Sequence, residues 1–119
     1  TVNNPSEQLG FYEAGTTKAL AAFTDERLPL FPDAPTMKEL GNDFVYYMQR
    51  TVVGAPGMSA EAGAYYTDLF TRVFNSDKWQ EYRTKKSLQG DLLTGDALMS
   101  YWMKERDIHE VMLKQMGAL

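Results

Sequence analysis

The chain has no cysteine among its 119 residues. That removes disulfides, thiolate metal sites and cysteine nucleophiles together. It leaves the compartment open, because an exported protein can do without bridges. Histidine is nearly as scarce, with His109 the only one. A Ser-His-Asp machinery would have to use it, and no G-x-S-x-G turn is present to supply the nucleophile. Glu105 and His109 form an i, i+4 pair, which is too few ligands for a metal site, and an ordinary half-exposed helix position explains His109 as well. No apolar run is long enough to span a bilayer. Thr1-Val2-Asn3-Asn4 has neither the basic nor the apolar part of a leader. This abrupt start points to a segment of a longer protein. Basic residues are outnumbered, 12 against 16 acidic, for a net charge of −4. Nucleic acid and an anionic membrane surface are therefore poor partners. The loop Gly54–Gly57 lacks the lysine and spacing of a phosphate-binding loop, so the backbone amides near Ser59 are an anion site only in the generic sense of any helix start.

What is present suits a globular chain. Apolar residues make up 44% and aromatics 13%, enough to furnish a core at this length. Asn4-Pro5-Ser6-Glu7 reads as a helix start, with Gly15 as the stop. Ala19–Phe23 is an unbroken apolar run between Gly15 and the Pro29, Pro32, Pro35 series, which predicts a strand covered on both faces. Thr36 and Glu39 form a capping box for a two-turn helix ending at Gly41. Asp43–Val53 is β-branched and aromatic and predicts a second strand. Ser59 then caps a long helix with a stripe of Tyr66, Leu69, Phe70, Val73 and Phe74. Asp77 with Gln80 opens a short helix, and Ser87–Gln89 is a candidate short strand. Thr94 opens a last helix, with Gly117 as its stop. Leu98, Tyr101, Trp102, Ile108, Met112 and Met116 are its expected buried face.

About five helices and two or three strands result. Two strands with covered faces make no stable sheet, so the missing strands are expected from elsewhere, either from further polypeptide or from a second copy. Strand exchange in a homodimer is one way to supply them.

Four features together resemble the C-terminal part of the substrate-binding receptors of tripartite tricarboxylate transporters, the Bug family. They are Ala14-Gly15 followed by Ala19-Leu20-Ala21, the Pro-Asp-x-Pro-Thr-x-x-Glu-x-Gly segment Pro32–Gly41, Ala55-Pro56-Gly57 after the second strand as a shortened form of Ala-Pro-x-Gly, and the helical tail Ser59–Leu119. Pro32–Gly41 is the most specific of them, and order and spacing match along almost the whole chain. Arg50 and Val52 depart from the pattern, standing where many relatives carry Trp and Gly.

The resemblance implies an α/β fold, a segment of a two-domain periplasmic binding protein (type II-like). Thr1–Gly41 would end the second, ligand-binding domain, and Asn42–Leu119 would be the returning part of the first. It implies a periplasmic solute receptor with no enzymatic activity, metal or cofactor. Such a receptor captures a small organic carboxylate by cleft closure and delivers it to the membrane subunits of a secondary transporter. The competing functions are a small α-rich interaction module, a sensor with no transport role, and an enzyme fragment. The last needs a cluster of perturbed acid and base groups that the sequence does not offer.

Thr24, Asp33 and Arg50 are the candidate ligand-binding residues. Thr24 and Asp33 follow the first strand, where ligands bind beyond the carboxyl ends of strands in open α/β sheets. A guanidinium at Arg50 can grip a carboxylate through two parallel hydrogen bonds. Each has a plainer reading. Asp33 suits a proline-rich turn, Thr36 beside it suits a cap, and Arg50 suits an internal ion pair. The aromatic set Tyr46, Tyr47, Tyr65, Tyr66, Trp79 and Trp102 is expected to be core packing. Met99, Met103, Met112 and Met116 are expected to fill gaps or face a partner.

Overall fold

Helix ends are written locally in this sequence, and they form as the local rules dictate. In a computed structural model describing all residues from Thr1 to Leu119, α1 spans Pro5–Glu13, α2 Ala60–Phe74, α3 Asp77–Lys85 and α4 Gly95–Gln115. Pro5 takes the first position of α1, where its missing N–H costs nothing. The Glu7 carboxylate reaches back to accept from the Asn4 backbone N–H at 3.3 Å and from the Asn4 side-chain amide at 2.9 Å. Gly15 then adopts a left-handed conformation (φ 68°), which lets Gly15 and Thr16 donate back to Tyr12 and Phe11. Ser59 caps α2 by accepting from Ala62 N–H at 3.1 Å. The cap of α3 is Ser76 rather than the expected Asp77, because the Ser76 hydroxyl accepts from Trp79 N–H. The Gln80 amide instead donates to the Phe74 carbonyl. Thr94 and Gly117 bound α4 as expected.

The expected sheet does not form. The chain is 45% helix and 2% strand, which overturns the α/β, type II-like architecture. The one β contact is an isolated parallel bridge between Ala22 and Thr36. There Ala22 N–H donates to Pro35 at 2.8 Å, and Met37 N–H donates to Ala22 at 3.0 Å. Phe23 C=O accepts from Tyr46 N–H at 2.8 Å, and pairing stops there. From Tyr47 to Gly54 no backbone N–H or C=O finds a partner within the chain. The physical reason is a shortage of neighbours. A ladder needs adjacent strands of similar composition, and almost everything after Ser59 is committed to helix. Ser87–Gln89, the candidate third strand, is turn and loop.

The short helix expected at Thr36–Gly41 is a single turn. Its cap is nevertheless complete. Thr36 Oγ1 accepts from Glu39 N–H at 3.2 Å, and Glu39 Oε2 accepts from Thr36 N–H at 2.7 Å. Gly41 (φ 85°) closes it, with Gly41 donating to Lys38 and Asn42 to Met37.

Burial is confined to this part of the molecule. Ala22, Leu28, Phe31, Ala34 and Thr36 are the five buried residues, and Leu9, Tyr12, Ala19 and Leu30 pack against them. The Tyr12 and Phe31 rings meet at 4.8 Å. No residue of the four helices is buried. The expected inner face of α4 is only partly covered: Leu98, Tyr101, Trp102 and Met112 are half-buried, while Ile108 is 42% and Met116 78% exposed. Tyr46, Tyr47, Tyr65 and Tyr66 are exposed as well, so the expectation that they pack a core fails. The surface of 9291 Å² far exceeds the roughly 6,500 Å² of a folded monomer of this mass. The radius of gyration, 17.4 Å, exceeds the about 14 Å of a close-packed chain of this length. No helix is long and apolar enough to cross a membrane.

Candidate functional site

The capped turn fixes the loop before it. Arg27 lies across the loop and spends its whole guanidinium there. Its Nε donates to both Glu39 oxygens at 3.0 and 3.1 Å, its second terminal nitrogen pairs with Oε1 at 2.9 Å, and the other donates to Pro32 C=O at 2.9 Å. Glu39 thus holds Arg27 and the Thr36 amide at once. The Arg27 hydrogen bond, then the Thr36 amide, hold its carboxyl below the usual range. Lys38 makes a parallel tie, Nζ to Asp25 Oδ1 at 2.6 Å. That hydrogen bond is the main reason the Asp25 carboxyl is also held low.

Tyr47 joins the same site from the extended segment. Its hydroxyl donates to Asp25 Oδ2 at 3.2 Å and accepts from Asp25 N–H at 3.1 Å. Asp25, Glu26, Arg27, Pro29, Tyr47 and Gln89 surround an open cavity of about 310 Å³. Every cation at this cavity or its turn already has a carboxylate, so it offers a ligand anion no spare positive charge.

The three expected ligand residues do not converge. Thr24 lies in this loop, but its hydroxyl donates to Glu26 C=O at 2.6 Å, a local turn contact. Asp33 accepts from the Tyr12 hydroxyl at 3.4 Å, which ties α1 to the loop. Burial and the nearby Asp33 charge push the Tyr12 hydroxyl's pKa up. Arg50 is exposed on the unpaired segment, with no ion pair and no hydrogen bond. It adds only slightly to holding the Glu7 carboxyl low, an effect dominated by Asn4. No hydrogen bond or ion pair joins any two of the three.

Tyr46, the neighbour of Tyr47, turns the other way and meets α4. Its hydroxyl lies 3.2 Å from His109 Nε2, and the two rings meet edge to face at 5.6 Å. His109 Nδ1 lies 2.7 Å from the Glu105 carbonyl, which can only accept. Nδ1 therefore carries a proton and donates to that carbonyl, while Nε2 pairs with the Tyr46 hydroxyl. A groove of about 250 Å³ runs here between residues 43–47 and α4, walled by Phe44, Tyr46, Tyr47 and Tyr101. Nothing in the sequence signals the Tyr46–His109 contact itself, which joins positions 63 apart. The alternation of Tyr46 and Tyr47 in an extended segment was the one available signal, since neighbours there point to opposite sides.

No family model, curated protein or solved structure matches the chain. Its function must therefore be argued from these residues.

Proposed function

We propose that these residues serve as a segment of a solute-binding receptor that captures a small organic carboxylate for a secondary transporter. The ligand would be held as a cleft closes against further polypeptide. The observation that carries the reading is Arg50, a guanidinium on an apolar segment with no internal carboxylate to hold it. Placed so, it has its full bidentate capacity free for a ligand carboxylate. The capped turn Pro32–Gly41, the most distinctive part of the resemblance to Bug-family receptors, supports the reading as a rigid support beside the loop that carries Thr24 and Asp33. The reading does not depend on a sheet within these residues.

Binding by oriented local donors is required, because a net charge of −4 does not draw anions at long range. A periplasmic setting and membrane transporter subunits as partners belong to the same proposal. The loop cavity has no free cation, and Arg50 is not joined to it. The chain alone is therefore expected to give no measurable heat with succinate or citrate in calorimetry, and micromolar binding would overturn the need for further polypeptide to complete the cleft. The decisive reading is of the gene. An export signal and further receptor sequence upstream, beside genes for transporter membrane subunits, would support it. A free-standing gene starting at Thr1 would count against it.

A second reading is a small α-rich interaction or sensor module. The helical content without a sheet favours it. It predicts a stable, defined solution mass for the chain by itself.

A further inference from the structure

The groove beside α4 has walls of unusual chemistry. Four aromatic rings line it, from Phe44, Tyr46, Tyr47 and Tyr101, together with two acidic residues, Asp43 and Glu105. No lysine or arginine lines it. Lys38, whose charge is felt near Asp43, is already committed to Asp25. Glu105 is only partly exposed, and its carboxylate has neither an ion-pair nor a hydrogen-bond partner. A half-buried carboxylate in an aromatic setting is poorly served by water and gains most from a cation that can shed its own. Both ring nitrogens of His109 are turned to other partners. Its Nδ1 faces the Glu105 carbonyl at 2.7 Å, and its Nε2 lies against the Tyr46 hydroxyl at 3.2 Å.

We infer that this groove binds a small organic cation, an alkylated amine or quaternary ammonium, against the faces of Tyr101 and Tyr46 and the carboxylate of Glu105. Aromatic faces attract such ions through the ring quadrupole, and a weakly hydrated ammonium loses little on leaving water. A volume of about 250 Å³ suits a headgroup of choline size. Burial first and the Glu105 charge second push the Tyr101 hydroxyl's pKa up, which sets the carboxylate close to that ring. The groove is built from residues 43–47 and α4, none of which is used by the loop cavity except Tyr47. The inference is independent of the carboxylate reading and survives its failure.

The test is a pair of titrations of the full chain, with choline and with 3,3-dimethyl-1-butanol, its uncharged counterpart in shape. Binding is followed by the NMR shifts of His109 and Tyr101. Choline is expected to bind in the millimolar range, at least about tenfold tighter than the alcohol. Glu105→Gln should lose about tenfold for choline and nothing for the alcohol. Asp91→Asn, an exposed carboxylate that does not line the groove, should change neither. Far-UV circular dichroism checks that each variant keeps its helices, and should Glu105→Gln unfold, Tyr101→Leu replaces it, with the same loss expected. Equal affinities for the two ligands, no binding of either, or choline binding untouched by both groove variants would each overturn the inference.

Discussion

The first forty-odd residues and the last sixty are built on different principles. In the first part, side chains far apart in sequence hold one another. Phe31 packs on Tyr12, Arg27 bridges Glu39 and Pro32, and Thr36 is buried against Ala22. In the second part most ties are local. Arg72 pairs with Asp68 and Lys114 with Glu110, each one helical turn away, and no residue as a whole is buried. Exposed pairs of this kind contribute roughly 0.3–0.5 kcal/mol each. Helices resting on them alone are marginal in water, because most helical stability in proteins comes from packing an apolar face. The contrast shows that good caps and a clear apolar stripe specify where a helix runs without specifying what it rests on.

The largest expected effect breaks the first part while leaving the second intact. Phe31 is 4% exposed, and Phe31→Ala should destabilise the N-terminal cluster by about 3–5 kcal/mol. Amide exchange should accelerate at Ala22 and Met37 and stay unchanged through α2 and α4. If the helices open together with the cluster, the two regions are one cooperative unit and the contrast is wrong. Next in size, Thr36→Ala removes the hydroxyl that accepts from Glu39 N–H. It should cost about 1 kcal/mol, read as a lower urea midpoint for the N-terminal cluster.

A change in the helical part should work in the opposite direction. Ser87 follows α3 with φ 52°, a left-handed conformation that glycine adopts freely, and its hydroxyl is buried without a partner. Ser87→Gly should therefore stabilise the end of α3 by about 1 kcal/mol, seen as slower exchange of the Leu88 amide, which donates to Arg83. The mildest prediction concerns acid. Asp25 and Glu39 are held below the usual carboxylate range in the folded state. Their contribution is fully present above the unfolded-state values near ~4 and is lost as pH falls through the lower folded values. Both are exposed, so the effect is small. A pH series of exchange at Thr36 should show protection declining only below about pH 4.

Local chemistry was legible in the sequence, and non-local chemistry was not. Asn4, Ser59, the Thr36–Glu39 box and the stops at Gly15, Gly41 and Gly117 could be read because a cap involves residues within one turn. Ser76 was missed in favour of Asp77 because adjacent Ser and Asp are equally good caps, and only the backbone decides between them. The strands at Ala19–Phe23 and Asp43–Val53 were read from composition, and composition states only what a segment suits. Without neighbours to complete a ladder, the second stays extended and unpaired. Of the proposed ligand residues, Thr24 and Asp33 fall in one loop, and nothing local in the sequence shows that their oxygens are engaged there. The Tyr46–His109 contact lay beyond reach because nothing local links the two positions.

The unpaired stretch from Tyr47 to Gly54 has a practical consequence. Its bare backbone groups and exposed Met48, Val52 and Val53 can serve as a template for the same stretch in another molecule. Concentration will then govern how the purified chain behaves. Dilute samples should stay clear, while concentrated ones should turn cloudy and take up amyloid dyes, starting from this stretch and not from the better-buried first forty residues.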